Sequence, residues 1–117
     1  MAGFPNLFTV TGPGSPSVLT NMVVSIEQHV EYIRDVISSL DADGLSTIEA
    51  TEEAQADWVA WVNAVAERTL FHGCSSWYLG ANVPGKPQVF MPLPGFVDYK
   101  THCDAVAVEG YPGFVRA

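Results

Sequence analysis

The first 26 residues contain no Asp, Glu, Lys, Arg or His, and this constrains the fold more than any other feature. Loops and helix faces that meet water normally carry charge, so a long uncharged stretch rich in Gly and Pro reads as backbone lying against something neutral and buried, or else as an ordinary core strand with its turns. The next segment is the opposite. Residues 27–67 hold ten acids against one base, Arg34, and residues 68–117 hold three acids against four bases. An acidic, helix-periodic middle is a solvated face. The net charge of −8 argues against a nucleic-acid partner, which needs a basic surface. Only 15% of residues are charged, against about 25% in an average domain. With 48% apolar residues, disorder is excluded. No apolar run approaches the ~20 residues of a membrane span. At 117 residues the chain is one unit. It has no basic, apolar leader, and its two cysteines, Cys74 and Cys103, form no tight framework, so a reduced cytoplasmic setting is expected.

Local signals divide the chain. Leu7-Phe8-Thr9-Val10-Thr11 predicts a short strand, stopped by Gly12-Pro13-Gly14-Ser15-Pro16. Ile26, Val30, Ile33, Ile37 and Leu40 recur at helical spacing, predicting a helix that starts near Thr20 or Asn21, buries that stripe and stops at Asp41-Ala42-Asp43-Gly44. A second helix is expected from about Glu52 to Thr69, with Thr51 as cap and Ala54, Trp58, Trp61, Val62 and Val65 as its apolar positions. Five breakers, Gly73, Gly80, Pro84, Gly85 and Pro87, make residues 71–88 a long irregular segment. Val89-Phe90-Met91 is strand-like. Phe96, Tyr99, Cys103 and Val106 mark a last helix.

The layout of strand, glycine turn and helix at 7–26 can present free N–H groups and a positive dipole end to a ligand, although such turns also occur with no ligand at all. It is no dinucleotide fingerprint, because a third Gly is absent and the helix begins too late. His72 with Cys74 and His102 with Cys103 do not match zinc spacing, and no metal site is expected. Ser15 and Ser17 sit in no nucleophile elbow. His29 reads as a residue at the boundary of the helical stripe, not as a base. Trp77, among breakers, is either an anchor into a core or a surface for a ring-bearing ligand.

Several segments in order resemble the flavin-dependent Baeyer–Villiger monooxygenases of the phenylacetone monooxygenase type. They are Gly3-Phe4-Pro5-Asn6-Leu7-Phe8, Gly12-Pro13-Gly14-Ser15-Pro16-Ser17, Asn21-Met22, Ser25-Ile26-Glu27-Gln28-His29-Val30-Glu31 and Ile48-Glu49-Ala50-Thr51. Ser76-Trp77-Tyr78, Gly80-Ala81-Asn82-Val83-Pro84-Gly85-Lys86-Pro87 and Gly110-Tyr111-Pro112-Gly113-Phe114 continue the series. The resemblance is to the last part of a longer enzyme. Both Gly-rich nucleotide fingerprints, the family's histidine motif and its catalytic arginine have no counterpart here. It implies a partial α/β fold: a C-terminal fragment of an FAD/NAD(P)-binding fold with two dinucleotide domains, mostly helical with short strands and a long loop. Residues 1–26 would form a strand and a turn facing flavin and substrate, 27–70 the helices, 71–95 a loop and strand like an NADP lid, and 96–117 a terminal helix and tail. Met1 would then be a start imposed by cloning or gene calling.

The resemblance also implies roles. Gly12, Pro13, Asn21 and Met22 would lie against FAD. Pro16, Ser17, Val18, Leu19 and Met91 would line the substrate pocket. Trp77 would hydrogen-bond NADP from a loop that closes over it. Leu93-Pro94-Gly95 departs from the family, where a second glycine is usual at 94, so the pocket rim would differ. No catalytic residue is implied within the chain. The expected reaction, in a full enzyme using NADPH and O2, is oxygen insertion into a ketone to give an ester or lactone, the fragment alone being inactive. A small acidic module that docks a partner without catalysis is the alternative.

Overall fold

The computed structural model describes residues 1–16, 20–70, 75, 77–80, 82–85 and 95–117. Helix α1 runs Met22–Asp43. Asn21 caps it, its side-chain oxygen accepting from the Val23 N–H at 3.0 Å, and Gly44 ends it at φ 69°, where a Cβ would be strained. After strand β1 (Ile48–Ala50), helix α2 runs Glu52–Ala66. The Thr51 hydroxyl accepts from Ala54 N–H at 3.1 Å, and Glu52 and Glu53 complement the dipole of the first turn. This helix ends three residues short of Thr69. The N–H groups of Arg68 and Thr69 turn back to Val65 and Ala66 carbonyls, and the Thr69 hydroxyl also donates to Ala66 O at 2.7 Å, so short-range bonds displace the helical ones. A 3-10 turn covers Trp77–Leu79, helix α3 covers Phe96–Val108 and strand β2 covers Phe114–Arg116.

Strands β1 and β2 pair antiparallel, with Ile48 opposite Arg116 and Ala50 opposite Phe114. Each has three residues, too short for an alternation signal. The strand expected at Leu7–Thr11 is absent: this segment is irregular and bounded by left-handed residues, Asn6 at φ 58° and Thr11 at φ 51°. Asn6 takes over the edge of β1 instead. Its N–H donates to Ile48 O, its side-chain oxygen accepts from Ile48 N–H, and its side-chain amide donates to Ser46 O, each at 3.0 Å. The strand expected at Val89–Met91 lies outside the described residues.

The largest departure concerns α1. Ile26, Val30 and Ile37, expected to be buried, are 40, 53 and 48% exposed, and Val23 is 61% exposed. The face that packs inward carries Ser25, Gln28, His29, Val36 and Leu40. The buried and apolar stripes are offset by one residue, a rotation of about 100° on a helix. Only Leu40 of the expected stripe is fully buried, and Ile33 is half-buried. The core inside the chain is accordingly thin and split. Val36, Leu40, Ile48 and Tyr111 form one cluster, and Val62, Ala66 and Leu79 form another, with Trp58 and Tyr99 against it. The accessible surface is 7292 Å², roughly 1,100 Å² more than a folded monomer of this mass shows. The radius of gyration, 15.0 Å, also exceeds the value of about 13 Å for a compact domain of this length.

Arg116 ties β2 to the end of α1. Its guanidinium donates to Ser39 Oγ at 3.0 Å and Asp43 Oδ2 at 2.6 Å, and lies 5.3 Å from the Tyr111 ring centroid. A cation here also complements the carbonyl end of α1. Arg116→Ala is expected to lower stability by about 1–2 kcal/mol. Arg116→Lys should recover part of that loss, because it keeps the charge opposite Asp43 and loses the planar group that lies against Tyr111. Urea midpoints of the two variants check this.

Candidate functional site

Residues 12–16 form a tight turn. The Ser15 N–H and hydroxyl both donate to the Gly12 carbonyl, at 3.2 and 2.7 Å. Gly14, at φ 78°, is buried against α2, and a Cβ there would stand 2.8 Å from Trp58 Nε1. Gly12 is equally tight, since its Cβ would meet Thr9 Oγ1 at 2.5 Å. Behind the turn, the rings of Trp58 and Trp61 from α2 lie 4.9 Å apart, and His102 from α3 stacks on Trp61 at 5.8 Å. Tyr99 meets Trp58 edge-on at 6.0 Å. Between these elements opens an apolar cavity of about 340 Å³, to whose wall Pro13, Gly14, Ser15, Trp58, Tyr99 and Cys103 contribute. Burial is the main cause that pushes the Tyr99 hydroxyl and the Cys103 thiol above their ordinary values. Both stay protonated near neutrality, so neither is a nucleophile or a base there.

The α1 N-terminus stands beside this turn in sequence and is open. Asn21 takes two of the first helical donors, the Val23 N–H through its side chain and the Ser25 N–H through its carbonyl. Among the described residues, the N–H groups of Met22 and Val24 are left to meet whatever lies beyond the helix end. Asn21 and Met22 are exposed, and together with the positive dipole end they fit the electron-rich edge of a ring or an anion. No group of His, Cys, Asp and Glu that could hold a metal occurs among the described residues.

The predicted residues fall in three places. Gly12 and Pro13 lie in the turn, Asn21 and Met22 at the helix end, and Trp77 in the 3-10 turn. Trp77 is 59% exposed, with Tyr78 packed on it at 3.9 Å between ring centroids, while Leu79 pins the turn to Val62 and Ala66. Pro16 is fully buried. Ser17, Val18, Leu19 and Met91 lie outside the described residues. His29 needs correction, because it is buried and not a boundary residue. It and Thr11 are what the sequence reading missed. The signal for His29 was its place on the stripe Ser25, His29, Tyr32, Val36 and Leu40, hidden by the more apolar stripe beside it.

Comparison with known proteins follows the same lines. No family model matches the chain. A solved oxidized steroid monooxygenase bound to NADP superposes with a TM-score of 0.89 at 49% identity, covering 99% of this chain and 21% of that one. A closed crystal structure of cyclohexanone monooxygenase gives 0.89 at 43% identity, over 99% and 22%. The fold is thus that of part of an FAD- and NADPH-binding monooxygenase. In sequence, a Baeyer–Villiger monooxygenase from Pseudooceanicola batsensis is 40% identical over 97% of the chain and 21% of its own length. Cyclohexanone 1,2-monooxygenase from Acinetobacter sp is 40% identical over 95% and 20%. Over nearly its whole length the chain is homologous to the Baeyer–Villiger monooxygenases, as a segment from their C-terminal part. It spans about a fifth of the length of the curated relatives it matches.

Gly14 is the most sensitive point of the turn. Gly14→Ala is expected to cost about 2 kcal/mol through a left-handed backbone and the clash with Trp58. A shift of the tryptophan emission and a lower melting temperature would show it, whereas an unchanged melting temperature contradicts the packing described.

Proposed function

We propose that this chain supplies the flavin-, NADP- and substrate-facing segment of a cytoplasmic Baeyer–Villiger monooxygenase that inserts oxygen from O2 into ketones, giving esters or lactones. The observation that carries the reading is α1: its N-terminus offers free donors and its apolar stripe faces outward. The excess surface of roughly 1,100 Å² exceeds one side of a standard interface, about 800 Å². An exposed apolar stripe would suit a small docking module as well; what favours the enzyme reading over it is the match to Baeyer–Villiger monooxygenases along 97% of the chain.

In this reading Gly12 and Pro13 shape the turn that meets FAD, and the open donors at Met22 and Val24 would hold the electron-rich edge of its ring. Asn21 fixes the helix end that aims those donors. Pro16, Ser17, Val18, Leu19 and Met91 shape the ketone pocket. Trp77, exposed on a turn anchored by Leu79, reaches NADP and helps exclude water when its segment closes. The bound FAD and NADPH supply the redox chemistry with O2, and the chain's part is to bind, orient and shield. With no residue of its own assigned to the oxygen chemistry, the chain alone is inactive.

The test is complementation. The 117-residue chain is mixed with a Baeyer–Villiger relative from which the matching fifth has been deleted. The expected outcome is a stable complex that retains FAD and oxidises NADPH in the presence of a ketone. Ile26→Glu and Val30→Glu should weaken that complex at least about tenfold while sparing the free chain's fold, since both side chains are exposed there. Ketone-dependent NADPH oxidation by the chain alone, or a complex indifferent to both charges, contradicts the proposal.

A further inference from the structure

Thr11 adopts φ 51°, a conformation that a β-branched residue rarely holds and that only its surroundings can maintain. It immediately precedes Gly12-Pro13, so whatever holds Thr11 sets the entry to the turn. That partner is His29. The Thr11 N–H donates to His29 Nδ1 at 2.9 Å. His29 stands on the second turn of α1, 4% exposed, with Tyr99 of α3 edge-on to its ring at 5.4 Å and 78°. An Nδ1 that accepts must be bare, so the neutral ring carries its proton on Nε2. Nε2 is itself buried without a hydrogen-bond partner among the described residues.

We propose that His29 is a positioning residue for the Thr11–Gly12–Pro13 turn, and that protonation of its imidazole releases this turn. Protonated Nδ1 is a donor facing another donor, and among the described residues no acid stands by to stabilise the cation. From α3 the ring meets Tyr99, held neutral by burial. The N-terminal segment brings no ionisable side chain. One turn away along α1 are Ser25, Ile26, Tyr32 and Ile33, none of them charged near neutrality. The functional consequence, a flavin-facing turn that loosens in mild acid, rests on the monooxygenase reading. The bond itself does not.

Burial lowers the basicity of His29 below the ordinary histidine value. The unfolded chain therefore binds the proton more readily than the native one. The contribution of His29 to stability is complete above about pH 6.5 and is lost as pH falls from there through the lower native value.

The experiment is amide hydrogen exchange of Thr11, read by NMR as a protection factor, in the 117-residue chain and two variants. In the unmodified chain, protection should fall about tenfold or more between about pH 7.5 and about pH 5, and the ring nitrogens should show the Nε2–H tautomer at the higher pH. His29→Asn, whose side-chain oxygen can replace Nδ1 as acceptor, should keep the protection and lose its pH dependence. His29→Phe should lack the protection throughout, with near-UV circular dichroism reporting the fold. Constant Thr11 protection in the unmodified chain across this range overturns the proposal, and that arm needs no variant to fold. Failure of complementation with unchanged Thr11 behaviour would reject the monooxygenase reading and leave the His29 assignment standing.

Discussion

Everything in this fold depends on which side of α1 turns inward. A helix with two faces able to bury can be satisfied only if two bodies meet it, and this chain provides one. It packs the mixed face of Ser25, His29, Tyr32, Val36 and Leu40 against its own α3 and β2 regions, and leaves Met22, Val23, Ile26, Val30 and Ile37 exposed. Burial of one large apolar side chain is worth about 1.5–3 kcal/mol. Leaving several in water is costly in isolation and favourable only when a second surface covers them. Within the uncharged first 26 residues, the described ones form the tight turn at 12–16, whose Pro13, Gly14 and Ser15 line an apolar cavity, and the exposed start of α1.

Polar ties do the work that a thin core cannot. Asn6 stands in for a strand at the edge of β1, Arg116 joins β2 to the last turn of α1, and His29 fastens Thr11. Each links separate segments of the chain, Asn6 and His29 through backbone groups that need partners in any case, and Arg116 through the side chains of Ser39 and Asp43. Such ties give the turn at residues 12–16 a fixed shape of its own, so little ordering is left to be done by anything that binds there.

Much of this was legible in the sequence. Asn21, Thr51 and Gly44 act as the caps their chemistry predicts, and α3 begins at Phe96 as its spacing indicated. The homology to Baeyer–Villiger monooxygenases was readable from ordered segments such as Gly12-Pro13-Gly14-Ser15-Pro16. The orientation of α1 was not, because periodicity identifies an apolar stripe without saying which body covers it. Residues 7–11 have strand composition, yet left-handed Asn6 and Thr11 break the run, a choice made by the distant Ile48 and His29. The three-residue strands pair across 66 positions or so of chain, beyond the reach of any local pattern.

The central claim is that the outward face of α1 is an interface awaiting the rest of a monooxygenase. Hydroxyl-radical footprinting of the free chain and of its complex with the truncated relative tests it most directly. The account predicts that Met22, Val23, Ile26, Val30 and Ile37 are labelled in the free chain and protected together in the complex, while Val36 and Leu40 are protected in both. A free chain in which the outward residues are already protected and Val36 is labelled would contradict it.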